Sequence, residues 1–158
     1  SIRTANPRAT IIRARSPVTV DDPSAIAGKR VLVIEDGPTL THGQMEYGAG
    51  VVAAQTWGAS EIVDPAPYAV GSLREVLDHF HLGPVLPAMG YSTAQLREME
   101  QTIEAVECDL VVIATPIDLR RVISLSKPSV TVSYDLEEVE GSPKIQDALQ
   151  FVIEKTSK

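Results

Sequence analysis

The chain has 158 residues, 44% hydrophobic and 22% charged, the size and composition of one ordinary globular domain that can build a core without a metal or disulfide staple. Its formal net charge is -7, from 21 acidic residues against 14 Lys and Arg, so the overall field opposes nucleic acid and anionic lipid as partners. The lone Cys108 cannot pair internally, no stretch nears the ~20 apolar residues of a membrane span, and the first residues do not read as a signal segment, so a cytoplasmic protein is expected.

The first residue is Ser1 rather than Met, and the chain moves quickly into residues 9–14, which have strand character; it reads as cut from something longer. Residues 16–23 form a connector rich in turn formers. The first strong strand spans 30–34, where Val31, Leu32, Val33 and Ile34 make the continuous aliphatic run of a parallel strand buried on both faces. A helix is expected over 43–57, closed by Gly58. Gly48 and Gly50 inside it each cost about 1 kcal/mol relative to alanine, so either the backbone approaches a strand or ligand closely there or the helix starts late.

A short strand follows at 61–63. Ser72 and Glu75 have the spacing of a capping box for a helix to residue 80. A brief strand at 84–86 precedes a helix opened by Ser92, in which Leu96, Met99, Ile103 and Val106 recur at three- and four-residue spacing and face a core. The second strong strand is 109–114. A short helix, a strand at 129–134 and a last helix over 143–154 complete the chain. This alternation predicts an α/β fold: a three-layer, Rossmann-like domain on a mostly parallel sheet.

Ligands of such sheets bind beyond the carboxyl ends of the strands. Four strand ends are expected on one edge, at 35–43, 64–71, 87–91 and 115–121, and each is rich in Gly, Pro, acids or hydroxyls. Pro116 suits the first turn of a helix, where free N–H groups favour an anion, and Arg120 and Arg121 add forked donors for phosphate oxygens. Thr115 and Asp118 lie in the same segment. His42 has the chemistry to donate to a phosphate or shuttle a proton. Glu35 and Asp36 suit a divalent cation, although adjacent acids also occur at plain strand ends. Asp78, His79 and His81 read as a surface turn, and Cys108 as a packed small residue. The pattern G-x-x-x-x-G-K-[ST] is absent: Gly28-Lys29 runs on into Arg30.

Five blocks then carry a family resemblance. Gly28-Lys29-Arg30-Val31-Leu32-Val33-Ile34-Glu35-Asp36-Gly37-Pro38-Thr39-Leu40-Thr41-His42-Gly43, Tyr47-Gly48-Ala49-Gly50-Val51-Val52-Ala53-Ala54, Glu61-Ile62-Val63-Asp64-Pro65, Gly83-Pro84-Val85-Leu86-Pro87-Ala88-Met89-Gly90-Tyr91 and Thr115-Pro116-Ile117-Asp118-Leu119-Arg120-Arg121 resemble the carboxy-terminal part of cyclic 2,3-diphosphoglycerate synthetases and their P-loop GTPase-like relatives. The resemblance implies ATP-dependent closure of an intramolecular phosphoanhydride. It also implies upstream Rossmann-like and P-loop domains, with residues 1–23 as the end of the P-loop domain plus connector and 24–158 as a single α/β domain. ATP or GTP with Mg2+ would bind in the full-length parent, with none held tightly by this piece, which should not turn over ATP alone.

Carried over by position, Thr39, Thr41, His42, Gly43, Arg120 and Arg121 would meet the phosphates of an anionic small molecule, with Thr115 and Asp118 beside them. His42, Glu35 and Asp36 are the catalytic candidates, Glu35 and Asp36 the metal candidates, and Asp64 and Tyr68 would line the pocket. A homodimer is compatible with this reading. The alternative is a non-catalytic module that binds a phosphorylated metabolite.

Overall fold

Alternate residues of an extended strand face opposite ways, so an aliphatic run can feed two cores at once. In the computed structural model, which describes residues 1–37, 48–80, 83–90 and 92–156, β3 (Arg30–Asp36) does this. Leu32 and Ile34 join Leu86, Val111 and Ile113 on one face, under Leu73 and Leu77 of α3 (Gly71–Phe80) and Met99 and Ile103 of α4 (Thr93–Ala105). Val31 and Val33 turn to the other face with Val85, Leu110 and Val112, under Val51, Ala53 and Ala54 of α2 (Ala49–Thr56). The result is three layers, helix on sheet on helix, as the sequence predicts.

Contacts divide the chain into two compact units, Val18–Ser133 and a second formed by Ser1–Pro17 with Tyr134–Lys158. The first holds the six-stranded sheet, ordered β2 (Val18–Val20), β7 (Ser129–Tyr134), β6 (Leu110–Ala114), β3 and β4 (Glu61–Ile62), with β5 (Val85–Ala88) also on β3. The pairs β3–β4, β3–β5, β3–β6 and β6–β7 are parallel. Val18–Val20, expected in the connector, is a strand because its alternating valines pack beside α2. β5 runs two residues past its expected end, through Pro87; among the described residues it pairs with β3 alone, where a residue lacking N–H is tolerated.

Ser92 caps α4 as expected, and Gln95 completes a reciprocal capping box with it. The box expected at Ser72 and Glu75 does not form: α3 begins at Gly71, and the Ser72 N–H and hydroxyl both donate to Glu98 Oε2 on α4, at 3.0 and 2.5 Å. In the second unit α1 spans Ile2–Ala5, and residues 9–13 are not strand; β1 (Ala14–Arg15) pairs antiparallel with β8 (Glu137–Glu138), and α5 spans Ile145–Thr156.

Candidate functional site at the carboxyl edge of the sheet

β3 and β6 lie side by side, with Glu35 opposite Ala114. After β3 the chain continues into α2 on one face of the sheet. After β6 it continues through Leu119 and Ile123 on the other. Neighbouring parallel strands whose connections depart to opposite faces leave a crevice at their carboxyl ends, the usual ligand position in such sheets. Glu35, Asp36 and Gly37 stand on one side of it and Ala114 and Thr115 on the other, with Pro87 and Ala88 of β5 flanking β3.

Glu35 is buried, 2% exposed, and faces the start of α2. Its Oε1 accepts from the Val51 N–H at 2.9 Å, and the N–H groups of Gly48 and Gly50 bond to the same carboxylate. Burial pushes its pKa above the ordinary carboxylate value, and these three backbone donors oppose the rise. Both explanations offered for the glycines hold. Gly48 is the N-cap, so the helix starts at Ala49, and a Cβ there would strike the Glu35 carboxylate. A Cβ on Gly50 would fall 2.6 Å from Val33 Cγ1 and 3.0 Å from Ala114 Cβ. Sequence reading flagged these glycines but missed their partner, the acid thirteen residues before Gly48.

The segment after β6 departs from expectation. It forms a three-residue 3-10 turn, Leu119–Arg121, with Pro116 outside it, so there is no α-helical N-terminus to hold an anion. Asp118 caps the turn and holds both arginines: its Oδ1 is 2.9 Å from Arg120 Nε and its Oδ2 3.6 Å from Arg121 Nε. Asp21 Oδ2 lies 3.7 Å from Arg120 Nη1. The Arg120 hydrogen bond holds the Asp118 carboxyl below its usual range. The buried Thr115 hydroxyl donates to the Ile117 carbonyl at 2.7 Å.

Asp64 and Tyr68 follow β4 in the chain. β4 ends level with Val31, five residues short of Asp36, or about 16 Å at 3.3 Å per residue; β5 takes over the flank from Val33 onward. Asp64 accepts from the Ala66 N–H at 2.9 Å, and Tyr68 packs against the core under α3 and α4. Thr39, Thr41, His42, Gly43 and His81 lie outside the described residues. His79 meets Phe80 edge to face at 4.7 Å, and burial raises the Cys108 thiol. Among the described residues no three His, Cys, Asp or Glu gather as a metal site, and no helix is long and apolar enough to cross a membrane.

The chain is 56% identical over 151 residues to the arginine synthetase ArcE of Thermococcus kodakarensis, an alignment covering 95% of this chain. The chain spans about a third of that protein's length, 34%. No family model and no solved structure matches it. The relative is named an arginine synthetase, not a cyclic 2,3-diphosphoglycerate synthetase, so the similarity supports only the coarser expectation that these residues resemble part of a larger synthetase-like protein.

Proposed function

We propose that these residues are the substrate-side part of a nucleotide-dependent arginine synthetase, with the crevice between β3 and β6 holding the end of the molecule on which the guanidinium is built. The observation that carries this is the 56% identity to an arginine synthetase, which runs through nearly the whole chain, carboxyl edge included. Charge at that edge supports it. Asp36 stands at the end of β3 beside the crevice, Glu35 is turned to the start of α2, and Arg120 is already engaged by Asp118 and Asp21. A guanidinium or its nitrogen-bearing precursor suits carboxylates with matched paired donors, whereas a phosphorylated anion would compete with acids already holding the arginines. This favours arginine over diphosphoglycerate ring closure.

The nucleotide, ATP or GTP with Mg2+, would be held outside these residues, by an upstream P-loop domain. The chain has no G-x-x-x-x-G-K-[ST], and Glu35 is turned to backbone N–H groups rather than toward a cation. By atom balance, a guanidinium forms when ammonia nitrogen replaces the oxygen of a ureido group after that oxygen has taken a phosphoryl group from the nucleoside triphosphate, the oxygen leaving with the phosphate and the nucleoside diphosphate released. The full-length parent, supplied with a nucleoside triphosphate, Mg2+, ammonium and the ureido counterpart of arginine, should therefore form arginine, and Asp36→Asn should slow it. Absence of arginine, with cyclisation of 2,3-diphosphoglycerate instead, would overturn the reading.

A further inference from the structure

Backbone N–H groups at the start of a helix attract an anion, and in a strand–loop–helix unit at the carboxyl edge of a sheet that anion is commonly a ligand phosphate. Here the position is filled from within. Glu35 is 2% exposed, and its carboxylate takes the N–H groups of Gly48, Gly50 and Val51. The fit is built in, because Gly48 leaves no room for a Cβ beside the carboxylate and Gly50 none beside Val33 and Ala114. Chain order adds a consequence. Glu35 precedes residues 38–47 in the chain and its three partners follow them, so a single side chain joins the end of β3 to the start of α2.

We propose that Glu35 is a positioning residue for the synthetase reaction: its carboxylate is a built-in counter-anion that fixes the start of α2 against β3 and closes that helix start to a substrate phosphate. This rests on the arginine-synthetase reading for its kinetic arm only. An acid in this place holds geometry next to the crevice without touching the reacting atoms, and small displacements of that kind cost rate rather than fold.

The test replaces the carboxylate and then returns it. In this chain, Glu35→Ala should show a saturable rise in Tm with added formate, which enters the vacated space and takes the three N–H groups, while the original protein shows none. In the full-length parent, Glu35→Ala should lower kcat/KM for arginine formation by about a hundredfold, formate should restore part of it, and Glu35→Gln, which keeps the shape and one acceptor, should fall between. If formate stabilises Glu35→Ala no more than the original protein, the counter-anion is wrong; if formate binds but kcat/KM is unchanged, Glu35 is structural only. Should Glu35→Ala fail to fold, Glu35→Gln carries the kinetic test, and unchanged kcat/KM overturns the proposal. A parent that makes no arginine at all sinks the functional reading, and the formate melts then decide the counter-anion claim by themselves.

Discussion

Gly48 and Glu35 stand so close that a side chain on the glycine would overlap the acid's carboxylate. Gly50, two residues on, presses its backbone against Val33 and Ala114. Gly48→Ala and Gly50→Ala should therefore each destabilise the fold by about 1–3 kcal/mol, the usual cost of overpacking a close contact. Urea unfolding followed by circular dichroism checks this; values near zero would mean that α2 does not approach the sheet so closely.

The core assignment predicts a contrast between two large apolar residues. Met99 is fully buried among Leu32, Ile34 and Leu73, whereas Leu149 is 57% exposed on α5. Met99→Ala should cost about 2–5 kcal/mol, and Leu149→Ala should stay within about 0.5 kcal/mol. The same urea titration reads both.

Acid dependence should carry two opposed signs. Burial raises the Glu35 pKa, so above the ordinary carboxylate value of 4.5 the folded protein keeps a proton that the unfolded chain releases. Its contribution is present below that value and is lost as pH rises through the raised pKa. Asp118 is the reverse: its carboxyl is held below 3.8 by Arg120, so its contribution is present above 3.8 and fades as pH falls through the lowered pKa. Unfolding midpoints measured from about pH 3 to 8 should decline toward neutral pH less steeply in Glu35→Gln than in the original protein, and decline less on acidification in Asp118→Asn.

Much of the fold was legible because its strongest signals are local. The aliphatic runs over β3 and β6 mark buried parallel strands, β7 spans its expected bounds, and Ser92 opens α4 as its position before an apolar-periodic run implied. What escaped the sequence depends on partners far along the chain. Ser72 gives its hydroxyl to Glu98 rather than to its own helix, and Arg120 reaches Asp21, which the connector reading left without a role. β4 stops short because β5 pairs along the same side of β3, and no local pattern shows that two strands share one flank. Glu35, Asp36 and Thr115 lie at the carboxyl ends of β3 and β6 as the aliphatic runs implied, whereas the sequence reading aimed one of Arg120 and Arg121 at an anion and left a surface salt bridge for the other, and in the fold Asp118 of their own turn holds both.

That pairing gives a further expectation. Asp118 is exposed enough that its ion pairs with Arg120 and Arg121 are screened by water. Asp118→Asn should change stability little, yet release the Arg120 Nε–H while Asp21 still faces Nη1. In NMR the Arg120 Hε resonance should move upfield and exchange faster with solvent; an unchanged resonance would show that Asp118 does not hold it.

The most direct measurement of the central claim is a titration of the isotope-labelled chain with L-arginine and, separately, with 2,3-diphosphoglycerate, followed by amide shifts. The account predicts saturable movement of the Asp36, Gly37, Thr115 and Asp118 amides with arginine and little with the diphosphate. Those amides staying fixed under arginine while moving under 2,3-diphosphoglycerate would contradict it.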